Sequence, residues 1–200
     1  MKKIIILTVF LICISSTIFA QGLYFDIGFG LGKAWTKIDG NNVIDVLKSA
    51  GIDVNERIAP DLGLKIGYNP FNSIRLYTVG EFGMTGHSNN YGDPYYPSMY
   101  FRTIIIGPGI IFYPIPYIQL GSSIGYSFAH TSTNISEIQT YNGHGFAWNI
   151  SIAIDVEGSD LGHSGLIGIK YFHANNTLKT SKAKQNTSMV SLFIRYAFRN

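Results

Sequence analysis

Apolar and polar residues alternate along most of this chain. Near its end, Val190, Leu192, Ile194, Tyr196 and Phe198 fall on one side of an extended backbone. Ser191, Arg195 and Ala197 fall on the other, with Phe193 as an apolar exception. A period of two is the period of a β-strand. The same pattern predicts seven earlier strands. The first covers roughly residues 23–35, where Phe25, Ile27, Phe29 and Leu31 alternate with Asp26, Gly28, Gly30 and Gly32. The second, about 60–68, sets Leu62, Leu64, Ile66 and Tyr68 against Asp61, Gly63, Lys65 and Gly67. The third, about 73–85, opposes Leu76, Phe82 and Met84 to Arg75, Tyr77, Glu81 and Gly83.

The fourth segment, 100–113, is nearly apolar on both faces, so its pattern does not orient it. Pro108 lacks a donor for the ladder and predicts a bulge there. The fifth, 117–128, the sixth, 145–156, and the seventh, 165–173, alternate cleanly, as in Trp148, Ile150 and Ile152 against Asn149, Ser151 and Ala153. Short turns follow the second, fourth and sixth strands. Longer connections span 36–59, 86–99, 129–144 and 174–185. In the first of these, Asn42 is placed to cap a helix over 43–50, with Gly51 to end it.

A strand with an apolar outside and a charged or small inside fits a wall between lipid and a polar lumen. An even strand number with alternating short and long connections fits the same wall. The reading is an all-β, eight-stranded antiparallel transmembrane β-barrel. Composition agrees: 22 glycines, 13 tyrosines and 13 phenylalanines accompany only 14% charged residues, matching small residues inside and aromatics outside.

Residues 1–20 read as a signal peptide ahead of a barrel over 21–200. Lys2 and Lys3 precede an apolar run from Ile4 to Ile14, and cleavage is expected near Ala20. The expected location is therefore the outer membrane of a Gram-negative-type bacterium. Cys13, the single cysteine, lies in the apolar run, so the mature chain has no disulfide or thiolate metal site. No cofactor is indicated. Loss of the two lysines leaves the mature chain close to neutral, without the clustered basic excess of a nucleic-acid binder.

Four acids and four bases, interleaved along the chain, share the inward parity: Asp26, Asp61, Lys65, Arg75, Glu81, Asp155, Lys170 and Arg195. An interior this narrow is just filled by side chains, so they are expected to form a structural salt-bridge network and not an ion path. Gly28, Gly30 and Gly32 share one strand face and precede no helix. They read as space for neighbouring side chains, not as a phosphate cradle.

Across the mature chain the pattern resembles small outer-membrane barrels of the OmpX and OmpW type. The resemblance implies contact with outer-membrane lipid and lipopolysaccharide, and targeting by barrel-assembly machinery that reads a terminal aromatic. Here Phe198 is followed by Arg199 and Asn200. The resemblance also offers passage of small hydrophobic solutes as an alternative function, with strand 100–113 and Pro108 as the place for a wall opening.

The segment from Lys170 to Asn176 resembles the carboxy-terminal region of outer-membrane lipid A deacylases, which carry His-x-Ser-Asn on the outside of the barrel. His173 and Asn176 match, and His173 has outward parity. Asn175 stands at the serine position and cannot be an acyl nucleophile. The acidic partner would fall near Thr187, and no Asp or Glu follows Asp160. Ser188 is the one nearby hydroxyl that could substitute. His173, Asn175 and Ser188 thus form a candidate lipid-facing site, and the expectation is no enzymatic activity.

Other candidates are bland. His130 and Ser132, with Glu137 nearby, do not by themselves fix a triad. The tyrosine-rich stretch 89–96 reads as a contact surface for a partner or as an interfacial aromatic girdle. Lys179, Lys182 and Lys184 could meet lipopolysaccharide. Asn134-Ile135-Ser136 fits a glycosylation sequon, which carries no weight in a bacterial reading.

Overall fold

Alternation becomes a closed wall in the computed structural model, which describes residues 22–49, 51, 58–71, 75–88, 98–133, 141–158 and 162–200. The expected signal peptide 1–20, the tyrosine-rich stretch 89–96, the sequon 134–136 and Glu137 lie outside the described residues.

Eight long strands follow one another as β1 (Leu23–Ile38), β2 (Ala59–Tyr68), β3 (Leu76–Ser88), β4 (Met99–Ile115), β5 (Ile118–Thr133), β6 (Tyr141–Asp155), β7 (His163–Leu178) and β8 (Lys184–Arg199). Each pairs antiparallel with its sequence neighbour. β1 also pairs with β8 from Tyr24↔Arg199 to Ile38↔Gln185, which closes the sheet. A two-residue strand, Asn41–Asn42, folds back on the end of β1. Closure leaves no free sheet edge, so backbone donors and acceptors are satisfied within the wall, as lipid requires.

The outside is apolar. Ile27, Ile150, Ile167 and Ile194 are each 50–56% exposed. In water such a surface would aggregate; facing hydrocarbon it is the favoured one. Aromatic residues flank this belt. Trp35, Tyr126, Phe128 and Trp148 lie toward the end with long connections, and Tyr117 and Tyr196 toward the end with short turns and both termini. By the rule that short turns face the periplasm, the long connections are extracellular.

Three expectations need correction. β4 has a definite orientation: Phe101, Thr103, Ile105, Ile111 and Tyr113 are buried inside, while Ile106 and Ile110 face out. It looked ambiguous because apolar residues also line parts of the interior. No bulge occurs at Pro108. Pairing with β5 skips Gly107 and Pro108 but resumes in the same register at Gly109↔Ser123, and the irregularity falls instead between Phe112 and Ile115, beside Pro114. The last connection is short: β7 and β8 continue above the apolar belt and turn over Lys179–Ala183. Asn175, Asn176, Asn186 and Thr187 are polar because that part of the wall lies beyond hydrocarbon, which hid the strand.

The helix in the first connection, α1 (Val43–Ser49), forms where the sequence places it. Asn42 Oδ1 accepts a hydrogen bond from the Ile44 amide at 3.1 Å. The Gly51 amide donates to Lys48 at 3.0 Å with φ at +76°, a conformation open to glycine. Val43 and Leu47 of α1 pack with Met99 and Phe101, laying an apolar cap across the extracellular mouth.

Candidate functional site

The interior is layered and not uniformly polar. Tyr24, Tyr77, Val79, Ile111 and Tyr113 cluster toward the periplasmic end. Ile105, Ala147, Phe172 and Met189 cluster higher up. Most of the charges lie between these layers, with Asp155 at the periplasmic end. Asp26, Asp61, Lys65, Glu81, Asp155, Lys170 and Arg195 are all at most 2% exposed. A buried charge is tolerated only if paired, and these are. Lys65 Nζ lies 3.6 Å from Glu81, and Arg195 lies 3.3 Å from Asp26. Lys170 pairs directly with Asp61, and Arg199 with Asp155.

Neutral groups complete the network. Asn149 donates to Glu81 at 3.1 Å, Ser191 to Asp61 at 3.3 Å, and Tyr24 to Asp26 at 2.7 Å. Gln119 donates to the hydroxyls of both Tyr24 and Tyr113. Phe193, the apolar exception of the last strand, has the Arg195 guanidinium carbon over its ring, 4.4 Å from the centroid. Its inward position shields that cation and adds cation–π attraction.

Of the four cations among the eight expected residues, Lys65, Lys170 and Arg195 are buried and Arg75 is less so. It sits half-buried just before β3, and its carbonyl accepts a hydrogen bond from Tyr113 at 3.0 Å. The fourth buried cation is Arg199, whose guanidinium also donates to the Gly158 carbonyl at 3.1 Å. The signal was in the sequence. Arg199 continues the parity of Arg195 and Ala197 one step beyond Phe198, where the strand was expected to end.

On the outside, β6, β7, β8 and β1 place Trp148, His173, Ser188 and Trp35 in one cross-strand row. Ser188 Oγ lies 2.8 Å from His173 Nδ1, and Asn175 Oδ1 lies 3.1 Å from His173 Nε2. The structure thus brings together all three residues of the candidate lipid-facing site. The Trp148 ring lies 5.9 Å from the imidazole. Ser188 is 7% exposed and Asn175 is open to the exterior. A hydroxyl, an imidazole and an amide in series have the connectivity of a nucleophile, a base and an orienting group. They also satisfy one another's polar atoms on an outward face, which membrane placement demands of any polar trio.

His130 faces out and bonds with Asn142 Oδ1 at 2.7 Å, and Ser132, two positions on in β5, shares its face. Lys179, Lys182 and Lys184 are exposed at the extracellular end. Among the described residues, no cluster of three metal-ligating side chains occurs.

No protein-family model matches the chain, and none of the curated proteins matches it. Solved structures do. Ail, the attachment invasion locus protein of Yersinia pestis, in complex with the heparin analogue sucrose octasulfate, aligns over 88% of this chain and 99% of its own, at 15% identity and a TM-score of 0.54. Neisserial surface protein A aligns over 88% of this chain and 98% of its own, at 11% identity and a TM-score of 0.50. At such identities the likeness concerns the fold. The closed wall, the outward apolar belt and these alignments together make the fold that of a small eight-stranded outer-membrane β-barrel.

Proposed function

We propose that this chain is a non-enzymatic outer-membrane protein with a plugged interior, acting through contacts at its extracellular end. The observation that carries the reading is the interior itself. Among the described residues four buried ion pairs occupy the lumen, Lys170–Asp61 reaching across it, and α1 caps the mouth with apolar side chains. A lumen filled in this way leaves the outer surface as the working part. That surface is braced: Lys184 and Asp39 exchange hydrogen bonds, the Asp39 amide to the Lys184 carbonyl at 2.9 Å and the Lys184 amide to Asp39 Oδ1 at 2.8 Å, so the last turn is tied to the end of β1. Outer-membrane placement, after cleavage near Ala20, follows from the apolar belt and the expected signal. Assembly machinery reading the last strand, and lipopolysaccharide, are its expected partners.

The complex of Ail with a heparin analogue suggests a polyanion as the first ligand to try. Cells displaying the protein should bind immobilised heparin, and Lys182→Glu with Lys184→Glu should weaken that binding. Purified protein in planar bilayers should give no stable channels. Sizeable single channels would overturn the plug, and absence from the outer membrane would overturn the placement.

A second reading rests on the Ser188–His173–Asn175 series, which has the connectivity of an ester hydrolase facing lipid. It is weaker because Asn175 can orient an imidazole but cannot neutralise an imidazolium. Ser188 is also nearly covered. Loss of an acyl chain from lipid A, dependent on both His173 and Ser188, would establish it.

A further inference from the structure

We infer that a cleft on the outer wall of β4, β5 and β6 is a binding site for the phosphorylated disaccharide headgroup of lipopolysaccharide. The cleft holds about 350 Å³. Its floor is Ile104, Tyr126 and Phe128, and its rim carries Arg102, His130, His144 and Lys179. The inference rests on the outer-membrane placement proposed above and names one ligand of that surface.

Position is the first argument. Ile104 continues outward from Ile106 and Ile110 on β4, and Tyr126 and Phe128 continue outward from Ile124 on β5. The cleft therefore opens toward lipid and not into the lumen. Arg102 pairs with His130, and His130 with Asn142, in one cross-strand row at the extracellular end of these strands. A cation this near hydrocarbon is costly unless it meets an anion or water at the interface. In the outer leaflet that level is where headgroup phosphates lie.

Charge is the second argument. Among the described residues, those that line the cleft include an arginine, a lysine and two histidines, and no aspartate or glutamate. Arginine presents a planar fork suited to phosphate, and lysine a mobile point charge.

Preorganisation is the third. The Lys179 amide donates to the Asn142 carbonyl at 2.8 Å, so the last turn holds this lysine over β6. Asn142 Oδ1 also fixes His130 at 2.7 Å. His144 stacks on Tyr126, with centroids 6.0 Å apart and planes at 22°, and Tyr126 meets Phe128 edge-on at 4.8 Å. An apolar aromatic floor under a cationic rim matches a ligand with a sugar ring and acyl stems below its phosphates.

The test uses the full-length protein, folded and inserted in phosphatidylcholine nanodiscs. The probe is lipid A carrying both phosphates, and phosphatase-treated lipid A is the comparison. Affinity should be at least about tenfold higher for the phosphorylated form, the size of one charge-assisted contact. Arg102→Gln combined with Lys179→Gln should remove that preference, and Lys182→Gln combined with Lys184→Gln should keep it. Equal affinity for the two lipids, or an unchanged preference in the Arg102/Lys179 variant, overturns the site. Full competition by soluble sucrose octasulfate also overturns it, in favour of a soluble polyanion. Heat-modifiable migration verifies folding of each variant, and Lys179→Gln alone serves if the double variant does not fold. Fractionation of cells reports the outer-membrane placement separately, so its failure is told apart from failure of the cleft.

Discussion

Lys170 of β7 pairs with Asp61 of β2, 109 positions earlier in the chain and on a strand that is not its neighbour. The pair crosses the lumen and fastens two parts of the wall. Ser191 adds a hydrogen bond to the other oxygen of Asp61 at 3.3 Å.

Removing one partner of that pair leaves a buried charge alone. Asp61→Ala should therefore destabilise the barrel by about 3–5 kcal/mol, and Asp61→Ala with Lys170→Met by clearly less. Urea unfolding in lipid vesicles, followed by heat-modifiable migration, measures both. Equal losses in the two variants would show that the pair is not the cause.

The facing of the wall has its own test. Ile150 is 52% exposed at the middle of β6, so Ile150→Arg should cost about 2–4 kcal/mol in lipid. Thr177 faces outward near the extracellular end of β7, where an arginine should cost about 0–1 kcal/mol. If Thr177→Arg proves the more damaging in the same unfolding assay, the assigned belt is misplaced.

Gly28 tests the closure of the barrel. A Cβ there would lie 2.2 Å from the Ile194 carbonyl oxygen and 2.5 Å from Arg195 Cγ. Even Gly28→Ala should therefore prevent or slow folding, because the clash is partly with backbone. Gly40 has nothing within 4 Å of its Cβ position, but its φ of +85° favours glycine, so Gly40→Ala should cost only about 1 kcal/mol. Folded yield of the two variants from urea into vesicles compares them.

Catalysis is expected to be absent. Lipid A from cells with and without the protein should give the same mass spectrum. Ser188→Ala and His173→Asn should leave it unchanged, and should alter stability only by the loss of hydrogen bonds on the outer face. An acyl chain missing only in the presence of intact His173 and Ser188 would reverse the assignment.

The sequence by itself determined the strands, the facing of all but β4, and the helix, because these depend on local periodicity. The alternation of Ile150 and Ile152 with Asn149 and Ser151 decides which side meets lipid, whatever the neighbours are. Asn42 and Gly51 bound α1 through hydrogen bonds that span few residues. Strand ends above the apolar belt were not legible, since Asn175 or Gln185 reads the same in a loop as in a polar part of the wall.

Tertiary structure alone decided which charges meet. Parity put Asp26, Asp61, Lys65, Glu81, Lys170 and Arg195 on one side, but their pairing depends on how the sheet closes and staggers. That closure paired Arg199 with Asp155 and set Ser188 beside His173 through the register of β7 on β8. It also gathered Arg102, His144 and Lys179 from three separate parts of the chain around one cleft. Local pattern fixes a residue's face. Only closure of the barrel fixes its neighbours across strands and across the lumen.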